Sequence, residues 1–546
     1  MIKNKKNNSF LILIISGALI TIAMTPWVNV DSLIIPKEII LFCTASYFLP
    51  LILSEYKFIL THKRLKILSL LSILIFIQMI LVMTFTSAPL VQQIFGSTGR
   101  GLGFLTELSL LVLMIVAARF IKFNQIGLIL KAIVIVSTCS SMYSILQKFG
   151  LDLFAWSSRT NGIIGTLGNP NFQSSLAAIT IVPVISYLHS KKTSTRFIAI
   201  IFCLILIYTI YICQSTQGYL VTAITVSIYL LIYTWYRKRS IFIGMLIATV
   251  FSGAVSILGM LNSGPLSILL YKNSIKSRGE FWRSAFSASK DNPIFGVGID
   301  SFGDVSNRYK SASDASGINE FTNNTHNYFL HYSSTGGLPL VILNILLIVL
   351  TFVCFFKLQN KLKQFNHQIA ALFTILVGFQ AQSMISPGTI SLMVWNAIIS
   401  GSIIGLSTYG LDGSDINLHV KSNFLKLFCF FSLLISLFII YPLYNSDRLQ
   451  LKSLNTKDAL LAIKSAKSYP ESSQRYSQIG VELLKSGLLE QSLDVARSAT
   501  KFNPNSISAW AMILANNSAP LDERRQAKQE ILRIDPFNIE IKKIVL

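Results

Sequence analysis

Apolar blocks of roughly 20 residues follow one another along residues 1–445 of this chain. That is the length a helix needs to cross the hydrocarbon layer of a bilayer. The blocks are Phe10–Val30, Ile35–Leu53, Ile67–Met83, Phe104–Ala118, Ile126–Leu146, Phe172–Leu188, Phe197–Cys213, Tyr219–Tyr236, Ile241–Leu261, Leu338–Phe356, Ile369–Met384, Ile390–Leu406 and Phe424–Tyr444. The pattern predicts an all-α, polytopic helical membrane protein with about 12–13 transmembrane helices. Composition agrees: 13% of the residues are charged, against about 25% in a typical soluble domain.

Short basic loops set the orientation. An N-terminus on the cytoplasmic side puts Lys57, Lys63 and Arg64, Arg119 and Lys122, Lys191, Lys192 and Arg196, Arg237–Arg239, and Lys357, Lys361 and Lys363 all inside. The positive-inside rule asks for that arrangement. Residues 87–103, 147–171 and the long loop 262–337 then face outward, and so does the tail after Tyr444. The first block follows Lys3, Lys5 and Lys6 without a clear small-residue cleavage pattern, and reads as an uncleaved helix.

The net charge of +23 could suggest nucleic acid. Much of it lies between apolar blocks, however, where it acts as a topology signal, and no nucleic-acid partner is expected. The six cysteines form no C-x-x-C pair, so neither a metal site nor a disulfide framework is expected.

Residues 446–546 change character and form a second predicted domain. Tyr476, Ile479, Gly480, Leu483, Ala496, Ala499 and Pro504 fall at tetratricopeptide spacing, and Trp510 follows Tyr476 by one 34-residue period. Such a helical repeat would either dock a protein partner or cap the membrane domain.

Three outward-facing segments hold residues suited to chemistry. In Ser277–Lys290, Ser277 with Glu280 reads as a capping box that opens a helix. Arg278 would then sit in its first turn, where the free N–H groups already favour an anion. A phosphate between them would make sense of the arginine, whose fork matches phosphate geometry. Trp282 and Phe286 share a face that could pack on the membrane surface; an interfacial helix with a solvated Arg278 is the plainer alternative. In Arg159–Phe172, Arg159 precedes a glycine-rich turn, with Asn169 as N-cap and Pro170 as first helical residue. In Asn323–Pro339, His326 precedes an aromatic run, and Gly336, Gly337 and Pro339 start a span. A neutral histidine can take a proton from a hydroxyl, and His331 is its rival nearby. Arg100, in GSTGRGLGF, is a weaker fourth element. Together these place cations and a histidine on one side of the membrane, as a lipid-linked pyrophosphate would require.

The residues R-x-x-x-W from Arg278, K-D-N-P-I-F-G-V-G from Lys290, T-H-N-Y-F-L from Thr325, G-G-L and G-N-P-N-F resemble the O-antigen ligase/polymerase superfamily of bacterial envelope glycosyltransferases, over roughly Arg100–Leu406. The resemblance implies a GT-C-type enzyme of the bacterial inner membrane that needs no cofactor and no metal. Its donor would be a glycan on undecaprenyl pyrophosphate. Arg278 would bind the pyrophosphate with help from Arg159 and Arg100, and His326 would orient or deprotonate the acceptor hydroxyl for inverting attack. Asn169, Asn171, Trp282 and Asn327 would support the site. Members often carry an acidic residue shortly after H-N; this chain has His331-Tyr332-Ser333-Ser334 instead. The acceptor could be a lipid A core, a growing polysaccharide or a protein. A lipid-linked glycan transporter is the rival class, opposed by the lack of a clear inverted repeat and of ionisable pairs deep in the spans.

Overall fold

A computed structural model describes residues 8–154, 162–315, 321–362, 364–409 and 423–546. Its longer helices are α1 (Asn8–Ile22), α2 (Ile35–Ser54), α3 (Lys63–Phe85), α4 (Phe104–Phe120), α5 (Ile126–Lys148), α6 (Pro170–Leu188), α7 (Thr193–Ile212), α8 (Thr216–Arg237), α9 (Arg239–Met260), α10 (Asn273–Asp291), α11 (Tyr328–Lys361), α12 (His367–Ser383), α13 (Ile390–Tyr409) and α14 (Asn423–Thr456). The described residues contain no strand. Every predicted apolar block overlaps a helix, and among the described residues ten helices are long and apolar enough to cross a membrane. Helices α4 and α12 have 17 residues each, and α1 has 15.

The block predicted as Phe10–Val30 is helical only to Ile22. Pro26 lacks an N–H and biases the residue before it away from helix. The chain there folds into a turn, with Val28 N–H on the Thr25 carbonyl and the Thr25 hydroxyl on Asn29.

The core of the bundle is tight where side chains are small. In α13, a Cβ on Gly401 or Gly405 would run into the carbonyl oxygens of Met114 and Ala118 on α4. Small residues four apart allow this close helix approach. The fully buried Trp395 donates its indole N–H to Thr21 Oγ1 at 2.8 Å, so α13 is fastened to α1 by a polar contact within an apolar seam. By contrast, α9 turns Ile243, Ile247, Val250 and Phe251 outward, which suits a lipid-facing helix.

One end of the bundle carries the basic clusters. Arg119, 1% exposed, pairs with Glu55 at 2.8 Å, and its guanidinium lies over the Phe58 ring. Arg64 donates to the Ser407 carbonyl, and Tyr236 to that of Gln359. The opposite end collects the loops singled out for chemistry, joined by Ser97 with Asp300, Lys37 with Thr166, and Asn327 with Met384. All six cysteines are free thiols; Cys139 is exposed.

The tail folds as paired helices: α15 (Ala459–Ala466), α16 (Ser473–Lys485), α17 (Leu489–Phe502), α18 (Ile507–Ala515) and α19 (Leu521–Ile534). Tyr476, Ile479, Leu483, Ala496, Ala499 and Met512 form its own core. Gly480 explains itself: a Cβ there would strike the Met512 thioether, while its carbonyl accepts the Ser492 hydroxyl at 2.8 Å. The tail packs on the loop end of the bundle. Ser472 meets Thr98 at 2.6 Å, Tyr469 stacks edge-on against Phe95, and Arg308 reaches Asn505 at 3.4 Å.

Candidate functional site

Two glycine-rich motifs pair with each other to build the floor of the site. The turn after α10 runs alongside a break in α11. Val297 N–H donates to Ser334 O at 2.8 Å, Gly298 N–H to Thr335 O at 3.1 Å, and Leu338 N–H to Pro293 O at 2.7 Å. Gln78 of α3 caps the junction, donating to the carbonyls of Ile294 and Gly336 at 2.7 and 3.0 Å. Gly337 sits at φ 79° and ψ 172°, so α11 is two helical pieces joined at a kink. The span predicted to open at Gly336, Gly337 and Pro339 does open at this kink, and a further helical piece precedes it from Tyr328, where the Asn327 side chain caps the Leu330 N–H at 3.1 Å.

The polar run Thr322–Asn327 shapes the loop that carries His326. Asn324 Oδ1 accepts the His326 N–H at 3.0 Å, and Thr325 Oγ1 accepts the Asn327 N–H at 3.2 Å. Short polar side chains that bond two residues on are turn builders. His326 is thereby held at φ +52°, a left-handed conformation uncommon for a non-glycine residue. Its ring lies 5.6 Å from that of Phe281 on α10.

Arg278 lies on α10 three residues before Phe281. The predicted capping box does not form: α10 begins at Asn273, and the Ser277 hydroxyl donates backward to the Asn273 carbonyl at 3.1 Å. Arg278 is therefore in the second turn, and the argument from a helix N-terminus does not apply to it. Arg100 comes from a turn held by carboxylates. Asp300 accepts the Ser97 N–H at 2.7 Å and its hydroxyl at 2.9 Å, and Asp31 accepts the Gly99 N–H at 2.8 Å. The Arg100 guanidinium reaches Asn323 Oδ1 at 3.4 Å. Burial lowers its pKa, with Asp300 and Asp31 opposing.

His326 gathers these elements electrostatically. Burial first, then the positive charges of Arg100 and Arg278, push its pKa down to about 3. The imidazole is neutral at pH 7, and it reports two guanidiniums near one point from distant parts of the chain.

Beside this triangle lies a second cluster. His331, buried on α11, points Nε2 at Asp300 Oδ1, 3.4 Å away. Tyr332 donates to Glu107 of α4. Met79, Leu102, Glu107, Asp300, Tyr328, His331, Tyr332 and Met393 line one cavity. Deeper, Lys37 donates to the Thr166 carbonyl at 2.6 Å and to Ser391 Oγ at 2.9 Å, tying the 162–169 loop to the bundle. Single ionisable groups do lie within the spans, at Lys37, Glu38 and Glu107, all buried or nearly so. A charge inside an otherwise apolar block is the signal that could have found them.

The other predicted site residues serve the scaffold. Asn169 caps α6, accepting the Asn171 N–H at 2.8 Å with Pro170 next, as expected. Asn171 Oδ1 accepts the Ser215 hydroxyl at 2.6 Å, fixing α6 to the start of α8. Asn327 also donates to the Met384 carbonyl at 3.0 Å. Trp282 is half-buried on α10, one residue past Phe281. Arg159 lies outside the described residues.

Residues 201–345 match the family model described as O-antigen ligase. The match takes in Arg278, Asp300, His326 and His331, and leaves out Arg100 and the tail. No curated protein matches the sequence.

Proposed function

We propose that this chain, a multi-pass membrane protein whose residues 201–345 match the O-antigen ligase family, transfers a glycan from undecaprenyl pyrophosphate to an acceptor hydroxyl. The pyrophosphate sits between Arg100 and Arg278, with Arg159 expected to assist. The lipid tail runs between helices, and the sugar meets the acceptor outside the membrane. The acceptor oxygen attacks the anomeric carbon from the face opposite the pyrophosphate, inverting it, while undecaprenyl pyrophosphate leaves with the bonding electron pair. Arginine forks held in a site of low dielectric stabilise the charge that grows on the leaving oxygen.

The observation that carries this reading is the convergence of Arg100 and Arg278 on the neutral His326. An anion with several oxygens offers acceptors to two guanidinium forks that converge on one point. Neutral and beside them, His326 suits hydrogen bonding that orients a reactant. The test is binding of undecaprenyl pyrophosphate to the purified protein in nanodiscs. Arg278→Ala and Arg100→Ala should each weaken it more than tenfold; unchanged affinity in both would remove the reading.

A protein acceptor is a second reading, favoured by the tail. Ser472 touches Thr98, two residues from Arg100, so the repeat sits at the rim of the site, where it can present a polypeptide. Transfer to protein in the full chain but not in one lacking Lys452–Leu546 would support it.

A further inference from the structure

We infer that residues 266–290 form an in-plane membrane clamp at the loop end of the bundle. Ile268 and Leu269 enter the acyl layer, and the exposed lysines of α10 hold the phosphates of anionic lipid headgroups.

Both ends of α10 are fixed where spans end. The lipid-facing α9 stops at Met260 and α10 begins at Asn273. Between them the chain folds back on α9: the Ser263 N–H donates to the Leu258 carbonyl at 2.8 Å, and a Cβ on Gly259 would strike Leu266. The segment therefore stays at the depth where α9 ends. Past the other end of α10, the Leu338 N–H donates to the Pro293 carbonyl at 2.7 Å, where the span in α11 opens. Phe295 also stacks on Phe85, the last residue of α3, with ring centroids 5.0 Å apart. A helix of 19 residues is about 28 Å long. With both ends at one level, α10 lies along the membrane surface instead of rising from it.

The residues suit that depth. Ile268 is 91% exposed and Leu269 65%, on a helical turn at Ser267–Leu270. Ile257, Leu258 and Leu261 beside them are exposed too. Apolar side chains left bare at the end of a lipid-facing span are covered by lipid. Tyr271 follows, a residue type enriched at the membrane–water boundary.

Lys276, Arg283 and Lys290 then recur every seven residues, two turns apart, and all three are exposed on one face of α10 with Phe286. Lys272 stands just before the helix. Arg283 is engaged by Asp314. Lys272, Lys276 and Lys290 pair with no carboxylate among the described residues. A solvated face would account for the lysines but not for the bare Ile268, Leu269 and Phe286 among them. Basic residues beside inserted apolar ones are the pattern that binds an anionic membrane surface. Arg278, about 200° round the helix from Lys276, faces away from this stripe, so the clamp sets the depth of the helix without using the arginine.

Two measurements on the full chain in nanodiscs test this. In the first, Ile268→Trp is read by its fluorescence above wild type, against lipid brominated in the acyl chain, which quenches on contact. The variant should lose about half of that added emission in brominated phosphatidylcholine. Leu460→Trp, on the tail and 80% exposed at Leu460 in the wild type, should lose almost none. Quenching at position 268 no greater than at 460 overturns the insertion. In the second, only a minority of the lipid is brominated. Brominated phosphatidylglycerol should then quench Ile268→Trp about twice as strongly as brominated phosphatidylcholine, because the lysines enrich it locally. Adding Lys272→Gln, Lys276→Gln and Lys290→Gln together should abolish the excess. No excess, or one that survives the three glutamines, overturns the headgroup assignment. If Ile268→Trp does not fold, Leu269→Trp is judged by the same readings.

Discussion

Gly337 lies against the carbonyl oxygen of Ile294 so closely that no side chain fits between them. The contact locks the break in α11 onto the turn after α10, and both flank the loop that holds His326. Gly337 also adopts a left-handed φ of 79°, which an L side chain disfavours. Gly337→Ala should therefore cost about 3 kcal/mol through strain and displaced backbone. Thermal unfolding in detergent checks this; an unchanged midpoint would show that the break tolerates a Cβ.

The two guanidiniums act by shape as well as charge. Arg278→Lys keeps the charge but loses the fork that grips two phosphate oxygens. It should recover no more than a tenth of wild-type glycan transfer, measured with the purified protein and a lipid-linked donor. Full activity in the lysine variant would reduce the role to a point charge.

The Asp31 carboxylate predicts a pH dependence. Burial, with the Asp447 carboxylate adding to it, raises its pKa from 3.8 to about 6. The folded chain then holds this proton more tightly than the unfolded chain. The resulting stability is present below about pH 4 and is lost as pH rises through about 6, by up to about 3 kcal/mol. Asp31→Asn should flatten that fall, with the variant gaining on wild type at pH 7 and not at pH 4. Denaturation at the two pH values decides it; equal differences at both would contradict it.

The tail is joined to the bundle through Asp447. Its carboxylate accepts the N–H groups of Val30 at 2.7 Å and of Asp31 at 3.2 Å, near the loop that carries Arg100. Asp447→Ala leaves both donors without their acceptor and should cost about 2–3 kcal/mol. Limited proteolysis should then cut faster between α14 and the tail, and an unchanged cleavage rate would show that the tail is held by its other contacts.

What the sequence disclosed follows from the range of each interaction. Apolar blocks report burial in lipid residue by residue, so thirteen of them foretold thirteen helices, and Asn169-Pro170 announced the start of α6. A local rule misled where a competing local bond existed: Ser277 bonds back to Asn273. Long-range pairing was invisible. Nothing near His331 in the chain announces Asp300, 31 positions earlier, and nothing near Asp31 announces Asp447. Lys37 and Glu107 were legible as charges in apolar blocks, but not their partners. Arg100 was noticed only as a weak element, because the carboxylates that hold its turn come from elsewhere.

The most direct measurement is the rate of glycan transfer by purified protein from an undecaprenyl-pyrophosphate-linked donor, compared between wild type, Arg100→Ala and Arg278→Ala. Loss of one preorganised donor to developing negative charge typically slows a reaction by about 100- to 1,000-fold. Each variant, folded as judged by its unfolding midpoint, should fall in that range. Transfer at the wild-type rate in either variant would contradict a pyrophosphate site built from these two arginines.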